Sequence, residues 1–124
     1  MNTSIKLHPD LEKAVMDLGF SEFTEIQEKA IPLIQDGQDV IGQSYTGSGK
    51  TAAFGFPSLE KITHGHGLQL LILVPTRELC NQVAREMVKF CKYKPMKIVE
   101  VYGGVSINPQ IDWLRYADVV VGTP

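Results

Sequence analysis

Apolar residues along this chain recur at two spacings, and the alternation between them sets the expected architecture. Pro9 to Leu18 predicts a short helix, with Pro9 suited to its first turn and Gly19 to its end. Thr24-Glu25-Ile26-Gln27 opens a second helix that runs to about Gln35 and closes at Gly37. Asp39 to Gln43 reads as a short strand. It leads into the small-residue loop Thr46-Gly47-Ser48-Gly49 and a helix starting near Lys50. Leu68 to Val74 is a nearly unbroken apolar run, the pattern of a strand buried on both faces. After Pro75-Thr76, the segment Arg77 to Phe90 places Leu79, Val83, Met87 and Phe90 at helical spacing. Lys97 to Tyr102 is a further strand ending at Gly103-Gly104, Asn108-Pro109 starts a short helix, and Asp118 to Val121 is a last strand.

Strands alternating with helices in this way predict a parallel sheet with helices on its faces. Right-handed crossovers then bring the C-terminal ends of all strands to one edge, where such sheets bind ligands. The Gly47-Ser48-Gly49 loop, Pro75-Thr76, Gly103-Gly104 and Thr123-Pro124 each follow a predicted strand, so all four are expected on that edge.

Composition narrows the class only slightly. A net charge of −2, with 44% hydrophobic and 21% charged residues in 124, fits an ordinary globular protein of one domain at most. The mildly acidic total argues against a general nucleic-acid coat protein but allows a local basic strip. No apolar run approaches the roughly 20 residues of a membrane span, and Met1 to Lys6 has no apolar signal region. Cys80 and Cys91 fit neither a metal knuckle nor a disulfide framework, which points to a reducing, cytoplasmic setting; they are expected as core or boundary residues.

The segment with the most chemistry is Ser44-Tyr45-Thr46-Gly47-Ser48-Gly49-Lys50-Thr51. A polyphosphate needs several N–H donors at close range, and Gly47 and Gly49 allow the backbone to approach without a Cβ clash. A helix N-terminus adds unpaired N–H groups and a positive dipole end. Lys50 would reach the β- and γ-phosphates of a nucleotide, and the Thr51 hydroxyl would face Mg²⁺. Ser44 stands where the strict phosphate-loop pattern has glycine, a small residue that preserves the room. The plainer alternative is a glycine turn beside a solvated lysine.

Five segments in order carry a resemblance to the DEAD-box RNA helicases. Gly19-Phe20 with Thr24-Glu25-Ile26-Gln27 looks like the family's Q motif, and the loop just described resembles motif I. Pro75-Thr76-Arg77-Glu78-Leu79 resembles motif Ia, Gly103-Gly104 the glycine pair that follows, and Val121-Gly122-Thr123-Pro124 the approach to motif Ib. The resemblance implies a three-layer parallel-sheet P-loop (RecA-like) domain, present here in part across residues 1–124, with ATP and Mg²⁺ as cofactors. It implies nucleotide contacts from Phe20, Gln27 and the whole run Ser44, Tyr45, Thr46, Gly47, Ser48, Gly49, Lys50 and Thr51. Lys50 and Thr51 are then the catalytic residues and Thr51 the Mg²⁺ ligand.

Gln27 has two readings. Its amide offers a donor beside an acceptor, the complement of adenine's N7 and N6 amino group; equally, Thr24 and Gln27 have the spacing of a helix capping box. The family usually has proline where Phe23 stands and an adenine-stacking aromatic where Asn2 stands, so adenine stacking is either weaker here or falls to Phe20.

On the nucleic-acid side, the resemblance assigns Pro75, Thr76, Arg77, Gly104 and Thr123 to the sugar-phosphate backbone of single-stranded or duplex RNA. Helix N-termini, glycine backbones and an arginine fork suit phosphates and do not read bases. Taken alone, Pro75-Thr76 is a strand stop and helix cap, and Arg77 a solvated charge. The basic-leaning stretch Arg85 to Lys97 reads as a solvated helix face, His64-Gly65-His66-Gly67 as a flexible loop, and Trp113 with Tyr116 as packing residues.

Hydrolysis in the family uses an Asp-Glu-Ala-Asp segment beyond motif Ib and arginines of a second RecA-like domain. The expectation is therefore a fragment of a longer helicase, inactive alone and able to self-associate through an incomplete sheet. Two other readings remain: a piece of a DNA-directed superfamily 2 helicase, and a non-catalytic nucleotide- or RNA-binding module.

Overall fold

The computed structural model describes residues 5–47, 49–104 and 106–124. Among them are the helices α1 (Pro9–Asp17), α2 (Glu25–Gln35), α3 (Lys50–Glu60), α4 (Arg77–Phe90) and α5 (Ile107–Leu114). The strands are β1 (Leu70–Leu73), β2 (Ile98–Val101) and β3 (Val119–Gly122). They fall into two compact units. One holds the residues up to Lys61 together with Phe90–Lys94; the other holds Ile62–Lys89 with Pro95–Pro124.

The first unit is helical. α1 starts at Pro9, which needs no partner for a missing N–H, and the His8 imidazole accepts the Asp10 N–H at 3.1 Å. Its buried stripe is Leu11, Ala14 and Val15, spaced for one helix face. α2 packs against α3, and the small residues Ala30, Ala52 and Ala53 are buried there. Phe56, fully buried, meets Phe20 edge-on at 6.5 Å and Phe90 at 4.4 Å. Complete burial of Phe56, Leu11, Ile31 and Leu59 contributes about 1.5–3 kcal/mol each. Glu60 joins three segments, accepting the His8 N–H at 2.7 Å and the Gln35 amide at 3.0 Å, while that same amide donates to the Lys6 carbonyl at 2.8 Å. Lys94 donates to the Leu59 carbonyl at 2.7 Å near the end of α3, and burial holds its pKa below the usual lysine value.

The strand expected at Asp39–Gln43 does not form. Residues 38 to 45 carry no strand pairing, and Ile41 is 96% exposed. A strand exists only against a hydrogen-bonded neighbour, and none of the described residues supplies one here.

The second unit is a three-stranded parallel sheet in the order β1-β3-β2, with Leu71 opposite Val120 and Val99 opposite the same residue. β3, the central strand, is buried along its whole length. β1 was expected to be buried on both faces, and it is not. Ile72 and Val74 are buried, whereas Leu71 and Leu73 are 59% and 62% exposed. An edge strand covered on one face alternates in this way. α4 spans the residues its periodicity predicts and buries Cys80, Val83, Ala84 and Met87; the Cys80 thiol donates to the Val121 carbonyl at 3.1 Å. α5 begins at Ile107, one residue before the predicted start.

Asp118, 1% exposed, ties the starts of β2 and β3 to the preceding turn. Its carboxylate accepts the Lys97 N–H at 2.8 Å and the Gly65 N–H at 2.9 Å, and meets His64 Nδ1 at 2.6 Å. The His64-Gly65 segment is thus an anchored turn rather than a free loop. Trp113 and Tyr116 do not pack as expected: they are 51% and 73% exposed, and the buried residue of α5 is Gln110.

Candidate functional site

In the helical unit, the candidate phosphate loop meets α3 through two residues in the left-handed backbone region, Gly47 (φ 86°) and Gly49 (φ 87°). Gly49 is the N-cap of α3 and supplies no side chain, so the opening N–H groups of that helix have no side-chain cap. Such groups, with the dipole behind them, form an anion site of the kind a phosphate occupies. Thr51 is half-buried in the first turn. Lys50 is exposed and lines a cavity of about 160 Å³ with Ala53 and Gly42. Ser48 lies outside the described residues, as does Asn2.

Gln27 lies 3% exposed beneath this loop, and both ends of its amide are engaged. Oε1 accepts the Thr24 N–H at 3.0 Å, and Thr24 Oγ1 accepts the Gln27 N–H at 3.5 Å, which completes the capping box. Nε2 donates to the Gly49 carbonyl at 3.1 Å. This second bond links residues 22 positions apart and ties the start of α2 to the start of α3. A Cβ on Gly49 would overlap Nε2 and stand 3.2 Å from Cδ, so glycine is required there by space as well as by φ. Each amide atom keeps one further hydrogen-bonding position. Ser44 and Tyr45 line a cavity of about 180 Å³ with Thr24, Glu25 and Lys29. Phe20 is half-buried with its ring against Phe56.

In the sheet unit, Pro75-Thr76, Gly103-Gly104 and Thr123 follow the C-terminal ends of β1, β2 and β3, which run parallel. These three groups therefore share one edge, whereas the phosphate loop, expected to follow a strand in the same way, follows none among the described residues. Thr76 Oγ1 accepts the Leu79 N–H at 3.1 Å and caps α4. Pro75, Thr76 and Gly104 are exposed, and the Thr123 N–H is held by the Val101 carbonyl at 3.0 Å. Arg77 is no isolated charge: its guanidinium stacks 4.6 Å above the Tyr102 ring, which fixes the fork beside the strand ends. Gln110 Oε1 accepts the Tyr102 N–H at 2.9 Å and Nε2 donates to the Ser106 carbonyl at 3.0 Å, steadying the segment that carries Gly103-Gly104.

An uncapped helix entrance held by a buried glutamine, and a strand edge carrying Thr76, Arg77 and Gly104, agree with what the sequence matches. Residues 24–124 match the family described as DEAD/DEAH box helicase. The chain belongs to that family. The DEAD-box ATP-dependent RNA helicase CshA of Streptococcus pneumoniae is 50% identical over 126 residues, a match covering 100% of this chain and 23% of that protein. A probable ATP-dependent RNA helicase of Methanocaldococcus jannaschii is 43% identical, over 97% of this chain and 33% of the relative. The crystal structure of a DEAD box protein from Methanococcus jannaschii superimposes with a TM-score of 0.93 at 42% identity, covering 98% of this chain and 34% of that one. A hypothetical ATP-dependent RNA helicase from Sulfolobus tokodaii gives 0.85 at 43% identity, covering 95% of this chain and 34% of that one. The fold is thus the α/β parallel-sheet domain of this family, and the chain spans about a quarter to a third of the relatives it matches.

Four contacts escaped sequence reasoning: Gln27 to Gly49, Arg77 on Tyr102, Gln110 on Tyr102, and the Asp118 clasp. Asp118 left one trace, an acid directly before the apolar run Val119–Val121.

Proposed function

We propose that this chain is the ATP-binding and RNA-backbone-binding front portion of a DEAD-box RNA helicase, an enzyme that couples ATP binding and hydrolysis to unwinding of RNA duplexes. The observation that carries this reading is the uncapped entrance of α3, with Gly47 and Gly49 in the left-handed region. ATP fits that donor set. The N–H groups opening α3 and the Lys50 ammonium bind the phosphates, and Gln27 uses its remaining donor and acceptor positions on adenine. Phe20, Ser44, Tyr45, Thr46 and Ser48 complete the nucleotide contacts. Thr51 would offer Mg²⁺ a hard hydroxyl oxygen, the donor type that ion prefers.

Pro75, Thr76, Arg77, Gly104 and Thr123 bind the RNA backbone, and the Tyr102 stack pre-orients Arg77 for a phosphate. The residues present include no Asp-Glu-Ala-Asp segment. Turnover in this family needs such a segment and a second RecA-like domain, and we propose that these 124 residues by themselves do not hydrolyse ATP. Exposed Leu71 and Leu73 on an edge strand favour self-association of the isolated piece. Among the described residues no helix is long and apolar enough to cross a membrane, and we place the parent in the cytoplasm.

Fluorescent ADP and GDP titrated against the chain and its Lys50→Ala and Gln27→Ala variants test the reading. Lys50→Ala should abolish tight binding and Gln27→Ala should narrow the preference for ADP over GDP. Equal binding of ADP by all three proteins would remove the nucleotide site.

A further inference from the structure

β2 is an edge strand, and its open side is not smooth. The Lys97 and Val101 carbonyls accept N–H groups at the two ends of β3, so the odd-numbered residues face that neighbour. By strand alternation, the backbone groups of Ile98 and Glu100 then face away from the sheet. At Tyr102 the same outward side is already covered, because Gln110 Oε1 takes its N–H. Alongside the uncovered stretch runs a groove of about 580 Å³, walled by Pro109 and Trp113 of α5 and by Glu100 itself. Trp113 is half-exposed on that wall. One Glu100 carboxylate oxygen is shut off from water with no hydrogen-bond partner among the described residues. A carboxylate held partly desolvated gains more from an incoming cation than one in free solvent.

We propose that this groove receives an extended peptide segment that adds to β2 as a fourth strand and places an arginine or lysine opposite Glu100. The backbone of Ile98 and Glu100 supplies the ladder. A residue directly across from Glu100 has its Cβ about 5 Å away on the same face, within reach of the carboxylate. Its neighbours along the peptide point to the other face, where Val99 and Val101 pack with Leu114, and there apolar side chains meet Pro109 and Trp113. The groove carries one ammonium, Lys97, against one carboxylate, Glu100, so it has no net positive charge with which to hold RNA phosphates.

The test uses a fluorescein-labelled octapeptide of alternating valine and threonine with one central arginine, read by anisotropy against the 124-residue chain. Two control peptides carry glutamate at the centre, or N-methyl groups on alternate backbone amides. The arginine peptide should bind; each control should bind at least roughly tenfold more weakly, the expected worth of a charged hydrogen bond or of a broken ladder. Glu100→Gln, nearly isosteric, should cost the same roughly tenfold, and Trp113→Ala should weaken binding with the circular dichroism spectrum unchanged. Equal binding of the N-methylated peptide would overturn the proposal without reference to any variant's folding. So would displacement of the peptide by a short oligouridylate that binds Glu100→Gln more tightly, which would make the groove an RNA face. A dimer in sedimentation that dissociates on Glu100→Gln and takes up no peptide would make the occupant a second copy, and would also overturn it.

Discussion

Replacing Gly49 and Gly47 by alanine separates two reasons for glycine in the phosphate loop. Both residues sit near φ +87°, where an L side chain costs about 1–2 kcal/mol. Around Gly47 a Cβ meets open space, so Gly47→Ala should cost that amount and no more. At Gly49 the Cβ would overlap Gln27 Nε2 and crowd Thr24 Oγ1 at 3.4 Å. Gln27 is 3% exposed and cannot swing into solvent without vacating both its bonds. Losing a buried amide's partners adds about 1–3 kcal/mol, so Gly49→Ala should cost about 2–5 kcal/mol in total. The excess belongs to Gln27 and should vanish with it: in a Gln27→Ala background, Gly49→Ala should fall back to about 1–2 kcal/mol. Urea unfolding followed by far-ultraviolet circular dichroism, with the denaturant slope unchanged, measures the parent chain and its four variants. Equal costs at positions 47 and 49, or additivity in the double variant within about 0.5 kcal/mol, would refute the coupling.

Asp118 gives a pH signature. Burial alone would raise its pKa, but the N–H groups of Lys97 and Gly65 and the His64 ring outweigh it and hold the carboxyl below its ordinary 3.8. A depressed carboxylate stabilises the fold fully above that ordinary value, and the contribution is lost as pH falls below it through the folded value. Asp118→Asn should therefore cost about 2 kcal/mol or more at neutral pH, with the gap from the parent chain closing in acid unfolding as the carboxyl takes up its proton; a constant gap would contradict this. Cys80 is held protonated above the usual thiol range, by burial first and by the Glu100 charge second. It should react with iodoacetamide far more slowly than in unfolded chain at pH ~8.5, and equal rates would place it at the surface. For the proposed RNA contact, Arg77→Ala should weaken binding of all RNA sequences alike and lower the salt slope by about 1; a change confined to one sequence would argue against a backbone contact.

Local patterns were legible and long-range pairings were not. α4 could be placed from Arg77 to Phe90 because one turn after another repeats the same apolar stripe. The Thr24–Gln27 capping box was readable because its partners are three residues apart. The same glutamine's second bond, to Gly49, depends on how α2 and α3 meet, and no local spacing encodes that. Asp39–Gln43 has the composition of a strand but no paired neighbour among the described residues, and composition cannot report a missing partner. β1 misled for a related reason. Its apolar run resembles that of buried β3, yet β1 stands at the edge with Leu71 and Leu73 uncovered. Arg77 and Tyr102 lie 25 positions apart and meet only because α4 and β2 flank one sheet edge.

On the proposed function, the entrance of α3 holds a nucleotide's phosphates. Amide chemical shifts of the ¹⁵N-labelled chain, recorded while ADP and Mg²⁺ are added, address it residue by residue. The largest movements should fall on Gly47, Gly49, Lys50 and Thr51, with the Gln27 side-chain amide following, and Lys50→Ala should erase them. Shifts that leave those four amides in place, or that persist unchanged in Lys50→Ala, would mean that the phosphates bind elsewhere or not at all.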